Sequence, residues 1–177
     1  MQVFYYDAES RQCLGSFGPG AMLPAKAVPT SVTPVDGRQL WMGSTWAWPI
    51  DVIRAEVLGA ITRRYQAALA SGLSYGGKVL QIREQDQLNL AAMGNEARWA
   101  KANASAAAWP SDFAWRMADD TFLNLPDPEA MIALAETAKK EIQRLQLVKW
   151  MHVDAVRGLR ASAAIADYDF ETGWRGT

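Results

Sequence analysis

A single cysteine, Cys13, and a single histidine, His152, are all that 177 residues carry of the two side chains most used as nucleophiles and transition-metal ligands. One cysteine can neither close an intrachain disulfide nor build a cysteine-ligated zinc site, so packing must hold the fold. An excess of one charge is missing too. Lys and Arg total 18 against 19 for Asp and Glu, a net charge of -1, which leaves no electrostatic footprint for nucleic acid or an anionic membrane surface. No stretch approaches the ~18 consecutive apolar residues of a membrane span. The opening Met1-Gln2-Val3-Phe4-Tyr5-Tyr6-Asp7 lacks the basic region and apolar run of a signal peptide. The expectation is a cytosolic product that neither binds nucleic acid nor inserts in a membrane.

What the chain does have is apolar surface. Half of its residues are apolar, enough for one good core or two small ones. Eight are tryptophans: Trp41, Trp46, Trp48, Trp99, Trp109, Trp115, Trp150 and Trp174. Each brings a large ring and one N–H that wants an acceptor, so such residues fill cores or anchor interfaces.

Order along the chain suggests an α+β protein. Residues 3–6 and 12–14 are short β-prone runs around the turn-prone Asp7-Ala8-Glu9-Ser10, which predicts a hairpin. Residues 15–36 carry Gly18, Pro19, Gly20, Pro24, Pro29 and Pro34, too many breakers for a helix, and read as loops or extended segments with room for short edge strands. After the turn dipeptide Asp36-Gly37, residues 39–42 and 45–48 can pair across Gly43-Ser44. A small antiparallel β module thus spans residues 1–48.

Pro49 suits a first helical turn, and Ile50, Ile53, Val57, Ile61, Tyr65, Ala68 and Leu69 follow at helical spacing until Gly72. Gly76-Gly77 between residues 73–75 and 79–82 predicts a second hairpin. A helix from about 85 to 107 is expected to bury Leu88, Ala91, Ala92 and Trp99 despite Gly94, ending by Pro110. Residues 113–117 and 121–125 around Asp119-Asp120 predict a third hairpin. Asp127-Pro128-Glu129 then opens a helix with Met131, Leu134, Ala138, Ile142, Leu145 and Val148 on one stripe. Nothing breaks that pattern before Gly158, so it reaches roughly 30 residues unless it bends near Lys149-Trp150. The second domain therefore spans residues 49–160, mainly helical with inserted hairpins and a long C-terminal helix. Residues 161–177 form a tail whose acids and aromatics alternate; it packs on the chain itself or on a partner.

The residues offer little chemistry. His152 lies deep in the long helix and reads as a half-exposed or interface side chain; Cys13 reads as a small hydrophobe in a strand. Gly76-Gly77-Lys78 is too short for a phosphate loop. Asp119, Asp120 and Glu129 are the only acids that suggest acid-base work, and turn propensity explains the first two more simply. Asn103-Ala104-Ser105 matches a glycosylation acceptor, but inside a predicted helix. The basic residues mix with acids on helix faces and read as solvated surface. No catalytic, cofactor or metal residue is expected. Protein contact is expected at Trp41, Trp46, Trp48, Tyr168, Phe170 and Trp174.

Several landmarks carry a resemblance. They are Ile53-Arg54-Ala55-Glu56, Gly72-Leu73-Ser74-Tyr75-Gly76-Gly77-Lys78, Gln87 with Asn89, Phe113-Ala114-Trp115-Arg116 with Asp119-Asp120, and Pro128-Glu129-Ala130-Met131 before Leu134-Ala135. Through them residues 50–150 resemble an uncharacterised domain family found near the C-termini of tail proteins of tailed bacteriophages. Val3-Phe4-Tyr5-Tyr6-Asp7-Ala8 and Leu23-Pro24-Ala25-Lys26-Ala27 look like the opening of phage tail-fibre assembly proteins; the chain beyond Leu159 matches neither. The resemblance implies a place in a phage tail and a tail-fibre protein, usually a homotrimer, as partner, with baseplate proteins as further candidates. It implies synthesis in the host cytoplasm and, where the protein is retained, a location in the virion tail. Three functions compete: a fibre-assembly chaperone, a structural subunit of the fibre or baseplate, and an enzyme acting on a host-surface polymer through Asp119, Asp120 and Glu129.

Overall fold

The computed structural model describes residues 2–103 and 109–174. The expected stretch of helix at 104–107, the Ala104-Ser105 part of the glycosylation pattern and the last three tail residues lie outside them. The fold is α+β. The chain divides into two compact units, Met1–Val57 with Val156–Tyr168, and Leu58–Ala155 with Asp169–Thr177.

The first unit holds the strands β1 (Phe4–Asp7), β2 (Cys13–Ser16), β3 (Ala27–Thr30), β4 (Leu40–Trp41) and β5 (Trp46–Ala47). β1 is the centre of an antiparallel sheet in the order β2-β1-β3. The turn into β2 is fixed by Asp7, whose Oδ1 accepts the backbone N–H groups of Glu9 and Ser10 at 3.0 and 2.7 Å. Those bonds hold the Asp7 carboxyl below its ordinary value, Ser10 contributing most. β3 forms although it contains Pro29, because it is an edge strand: Pro29 sits opposite Tyr5, and its missing donor faces away from the ladder. β4 and β5 pair Leu40 with Ala47 and Trp41 with Trp46, while an isolated bridge from Gln12, the residue just before β2, to Leu40 ties them to the first sheet.

That small sheet has aromatic rings for a core. Tyr6 stacks on Trp41 at 5.4 Å, Trp41 meets Trp46 edge-on at 5.2 Å, and the Trp46 Nε1–H donates to the Val32 carbonyl at 2.7 Å. Each ring thus buries its area and the Trp46 indole satisfies its polar handle. α1 (Ile50–Ser71) starts after Pro49, whose carbonyl accepts the first helical bonds, and α4 (Ser162–Ala166) buries Ile165 completely.

The second unit packs α2 (Glu84–Ala102) and α3 (Pro128–Gly158) with the hairpins β6 (Leu73–Tyr75)/β7 (Lys78–Leu80) and β8 (Ala114–Arg116)/β9 (Phe122–Asn124). Gly76 and Gly77 both have positive φ, 58° and 77°, as a two-residue hairpin turn requires. Gly72 closes α1 at φ 75°, where an added Cβ would stand 2.6 Å from the Leu80 carbonyl oxygen, so no other residue fits. The hairpins join through the Ala118 N–H to the Val79 carbonyl and through Lys78 Nζ to Thr121 and the Phe122 carbonyl. α3 opens as its sequence predicts, with Asp127 Oδ1 accepting the Ala130 N–H at 2.8 Å, and runs unbroken for 31 residues past Lys149-Trp150. Ile61, Leu80, Ile82, Met131, Leu134 and Leu145 are at most 1% exposed and make the core.

The buried face of α2 differs from the expected one. Leu88 and Trp99 are 62% and 52% exposed, and Ala91 and Ala92 are exposed as well. The inward stripe is Leu90, Gly94, Ala97 and Ala100. The reason is close approach to α3: a Cβ on Gly94 would lie 2.9 Å from the Ala135 Cβ. Small residues let two backbones come near, so Gly94 is the packing point of this helix and not a defect in it.

Candidate functional site

The side chains expected to touch a partner fall into two groups. In the first unit Trp41 and Trp46 are each 8% exposed, taken up by the aromatic core, and Trp48 is half-buried with the Arg38 guanidinium 5.1 Å from its ring. In the second unit Trp174 is 4% exposed. Its Nε1–H donates to the Phe170 carbonyl at 2.6 Å, and its ring stacks on His152 at 5.6 Å with Arg64 on another side. Tyr168, the last residue of the first unit, and Phe170, in the second, are half-buried. Trp41, Trp46 and Trp174 therefore spend their rings inside the chain, which corrects their reading as contact residues.

The tail's open question is answered by the same geometry. Arg144 binds Glu141 in a two-pronged pair at 2.7 and 2.8 Å, which raises the guanidinium pKa, and donates to the carbonyls of Gly173 and Trp174. Arg64 pairs with Glu171 at 2.8 Å. Residues 169–174 are thereby fastened to α1 and α3 of their own chain. His152 is also corrected: it is 2% exposed, beneath the tail, with Nε2 3.0 Å from the Thr172 carbonyl, an acceptor that places the proton on Nε2. Its role is to seat the tail.

The three acids that suggested catalysis are separately engaged. Asp119 Oδ1 accepts the hydroxyl and the N–H of Thr121 at 2.6 and 3.1 Å, which lowers its pKa. Asp120, at φ 62°, pairs with Arg116 at 2.8 Å. Glu129 is lowered by Lys101, 3.1 Å away. The first two shape the hairpin turn. Among the described residues no group of three or more His, Cys, Asp and Glu is placed to hold a metal ion, and no helix is long and apolar enough to cross a membrane.

Two surfaces of the second unit remain. One is apolar: Leu147, Trp150 and Met151, spaced three and four apart on α3, are 61%, 54% and 55% exposed. Leu88 and Trp99 project from α2, and Leu88 also lines a groove of about 430 Å³ with Ala91, Ala135, Ala138 and Ile142. The other is an open cleft of about 670 Å³ between α2 and β8, lined by Gln81, Asp86, Asn89, Trp115, Arg116 and Asp120 over Met93 and Phe113. Sequence reasoning passed over both. The α3 set could have been found as the apolar residues that fall off the buried stripe; the cleft could not, because only the fold brings residues 81–93 to residues 113–120. Six of the residues that mark the resemblance, Asn89, Phe113, Ala114, Trp115, Arg116 and Asp120, line it.

No curated protein and no solved structure matches the chain. Residues 52–172 match the model of one family, described as Domain of unknown function (DUF4376), and with well over half of its length covered the protein belongs to that family.

Proposed function

We propose that this chain acts by binding other proteins in the tail of a tailed bacteriophage, as an assembly chaperone for the distal part of a trimeric tail fibre. The observation that carries the reading is the stripe of Leu147, Trp150 and Met151 on α3, each more than half exposed. Fully burying side chains of this size is worth about 1.5–3 kcal/mol each, so a stripe left open in the free chain is suited to a partner. Tryptophan is also the residue type most enriched at interface hot spots. Before assembly a fibre tip exposes apolar surface and strand edges that a small companion can cover. The resemblance of residues 50–150 to phage tail proteins supplies the biological setting. Such a companion is made in the host cytoplasm and stays in the fibre or baseplate when retained.

A structural subunit of the fibre or baseplate is the alternative, favoured if the α3 stripe joins copies of this chain. Co-expression with the fibre protein encoded beside it, followed by mass spectrometry of the complex and of mature particles, separates the two. A soluble complex that is absent from particles supports a transient chaperone. A fixed ratio in particles supports a retained component, and a fibre that folds without this chain then makes it a subunit. Absence of any complex overturns both.

A further inference from the structure

We propose that the cleft between α2 and β8 is a binding site for a neutral saccharide. The inference stands on this cleft and not on the fibre reading. Its volume, about 670 Å³, falls within the roughly 300–1,000 Å³ of small-molecule sites. The charged side chains in and beside it are already neutralised: Asp86 by Arg83 at 2.9 Å, and Asp120 by Arg116 at 2.8 Å. Two acids and two arginines, paired off, leave no net field to select a phosphate, a carboxylate or a cation.

What they leave is a set of single hydrogen-bonding atoms held in place. Arg83 donates to both Gln81 Oε1, at 2.6 Å, and Asp86 Oδ2, so the Gln81 amide is oriented with its Nε2 donors free. Asp86 is fixed further by accepting the Arg83 backbone N–H at 3.0 Å, with Oδ1 unused. Asn89 Oδ1 accepts from Gln85 at 3.3 Å, leaving Nδ2 free. The Trp115 indole N–H has no acceptor among the described residues, and Asp120 engages through Oδ1 alone. Among the described residues, the Gln81, Asn89 and Trp115 donors and the second carboxylate oxygens of Asp86 and Asp120 have no partner. Neighbouring hydroxyls of a sugar ring each donate and accept, and match such an alternation; a purely anionic or cationic ligand does not.

The apolar part fits the same ligand. Phe113, Trp115 and Met117 line the cleft, with Met117 buried and Trp115 half-buried at its wall. An aromatic wall offers its face to the C–H side of a pyranose while the amides and carboxylates take the hydroxyl edge. The cleft is open, so binding of one short oligosaccharide will be weak, with Kd on the order of 0.1–1 mM.

The test uses the full chain on an array of neutral oligosaccharides built from glucose, galactose, mannose and N-acetylhexosamines, with inorganic phosphate as competitor. The expected result is binding to at least one oligosaccharide that phosphate does not compete away. Asn89→Ala and Gln81→Ala should each weaken it by about 10-fold. Trp115→Ala should abolish it, and Trp99→Ala, outside the cleft, should leave it unchanged. Asn89 is exposed, so its variant keeps the fold even where loss of Trp115 does not. No oligosaccharide bound, displacement by phosphate, or binding indifferent to Asn89→Ala and Gln81→Ala would each overturn the proposal.

Discussion

The two units use aromatic residues in opposite ways. In the first, where strands are two to four residues long, Tyr6, Trp41 and Trp46 face inward and are the core. In the second, the helices pack through aliphatic and small side chains such as Leu134, Gly94 and Ala97, and Trp99 and Trp150 face outward. Short strands give little area per residue, so the first unit needs large rings to bury enough surface. Long helices have area to spare, and their rings are free for other work. Tyr65 and Trp174, 8% and 4% exposed, are the buried rings of the second unit among the described residues, Trp174 because a tail of a few residues again needs a large ring to hold it.

The comparison breaks most sharply at the rings themselves. Trp46→Ala and Trp174→Ala should each cost about 3–5 kcal/mol in chemical denaturation, whereas Trp150→Ala should stay within about 0.5 kcal/mol of the parent. A large loss at Trp150 would mean that the outward stripe belongs to the core. Next is the close approach of α2 and α3. Gly94→Leu forces a side chain into the 2.9 Å gap at Ala135 and should destabilise by about 1–3 kcal/mol, measured by thermal melting. Smaller again is the cap of α3: Asp127→Ala removes the bond to the Ala130 N–H and should cost about 1 kcal/mol in the same melt.

The smallest effect concerns pH in the first unit. The Arg38 side chain and N–H hold the Asp36 carboxyl at about 2, below its ordinary 3.8. The folded state therefore binds the proton less readily than the unfolded one, and the contribution is fully present above about pH 4 and lost as pH falls toward 2. Asp36→Asn keeps the turn acceptor but removes the charge, so its acid titration should be slightly flatter between pH 4 and 2. The site is exposed, and the change should be small.

Local chemistry made much of this fold legible. Gly76-Gly77, Asp119-Asp120, Gly43-Ser44 and Asp127-Pro128 each specify a turn or a helix start within a few residues, and all four appear where expected. The inward face of α2 is not legible locally: the expected stripe of Leu88, Ala91, Ala92 and Trp99 gives way to Leu90, Gly94, Ala97 and Ala100 because the close approach to α3 selects it. The breaker-rich residues 15–36 leave room only for loops and short edge strands, and β3, with Pro29 at the sheet edge, is such a strand. The burial of His152 depends on a tail some 20 residues further along the chain, and the cleft on two segments that no local pattern connects.

The most direct test of the central claim is the affinity of the double variant Leu147→Ala, Trp150→Ala for the co-expressed fibre protein, measured beside its thermal stability. The account predicts a loss of at least 10-fold in affinity, about 1.4 kcal/mol, with melting unchanged. Unchanged affinity, or a melting temperature lowered by several degrees, would contradict it.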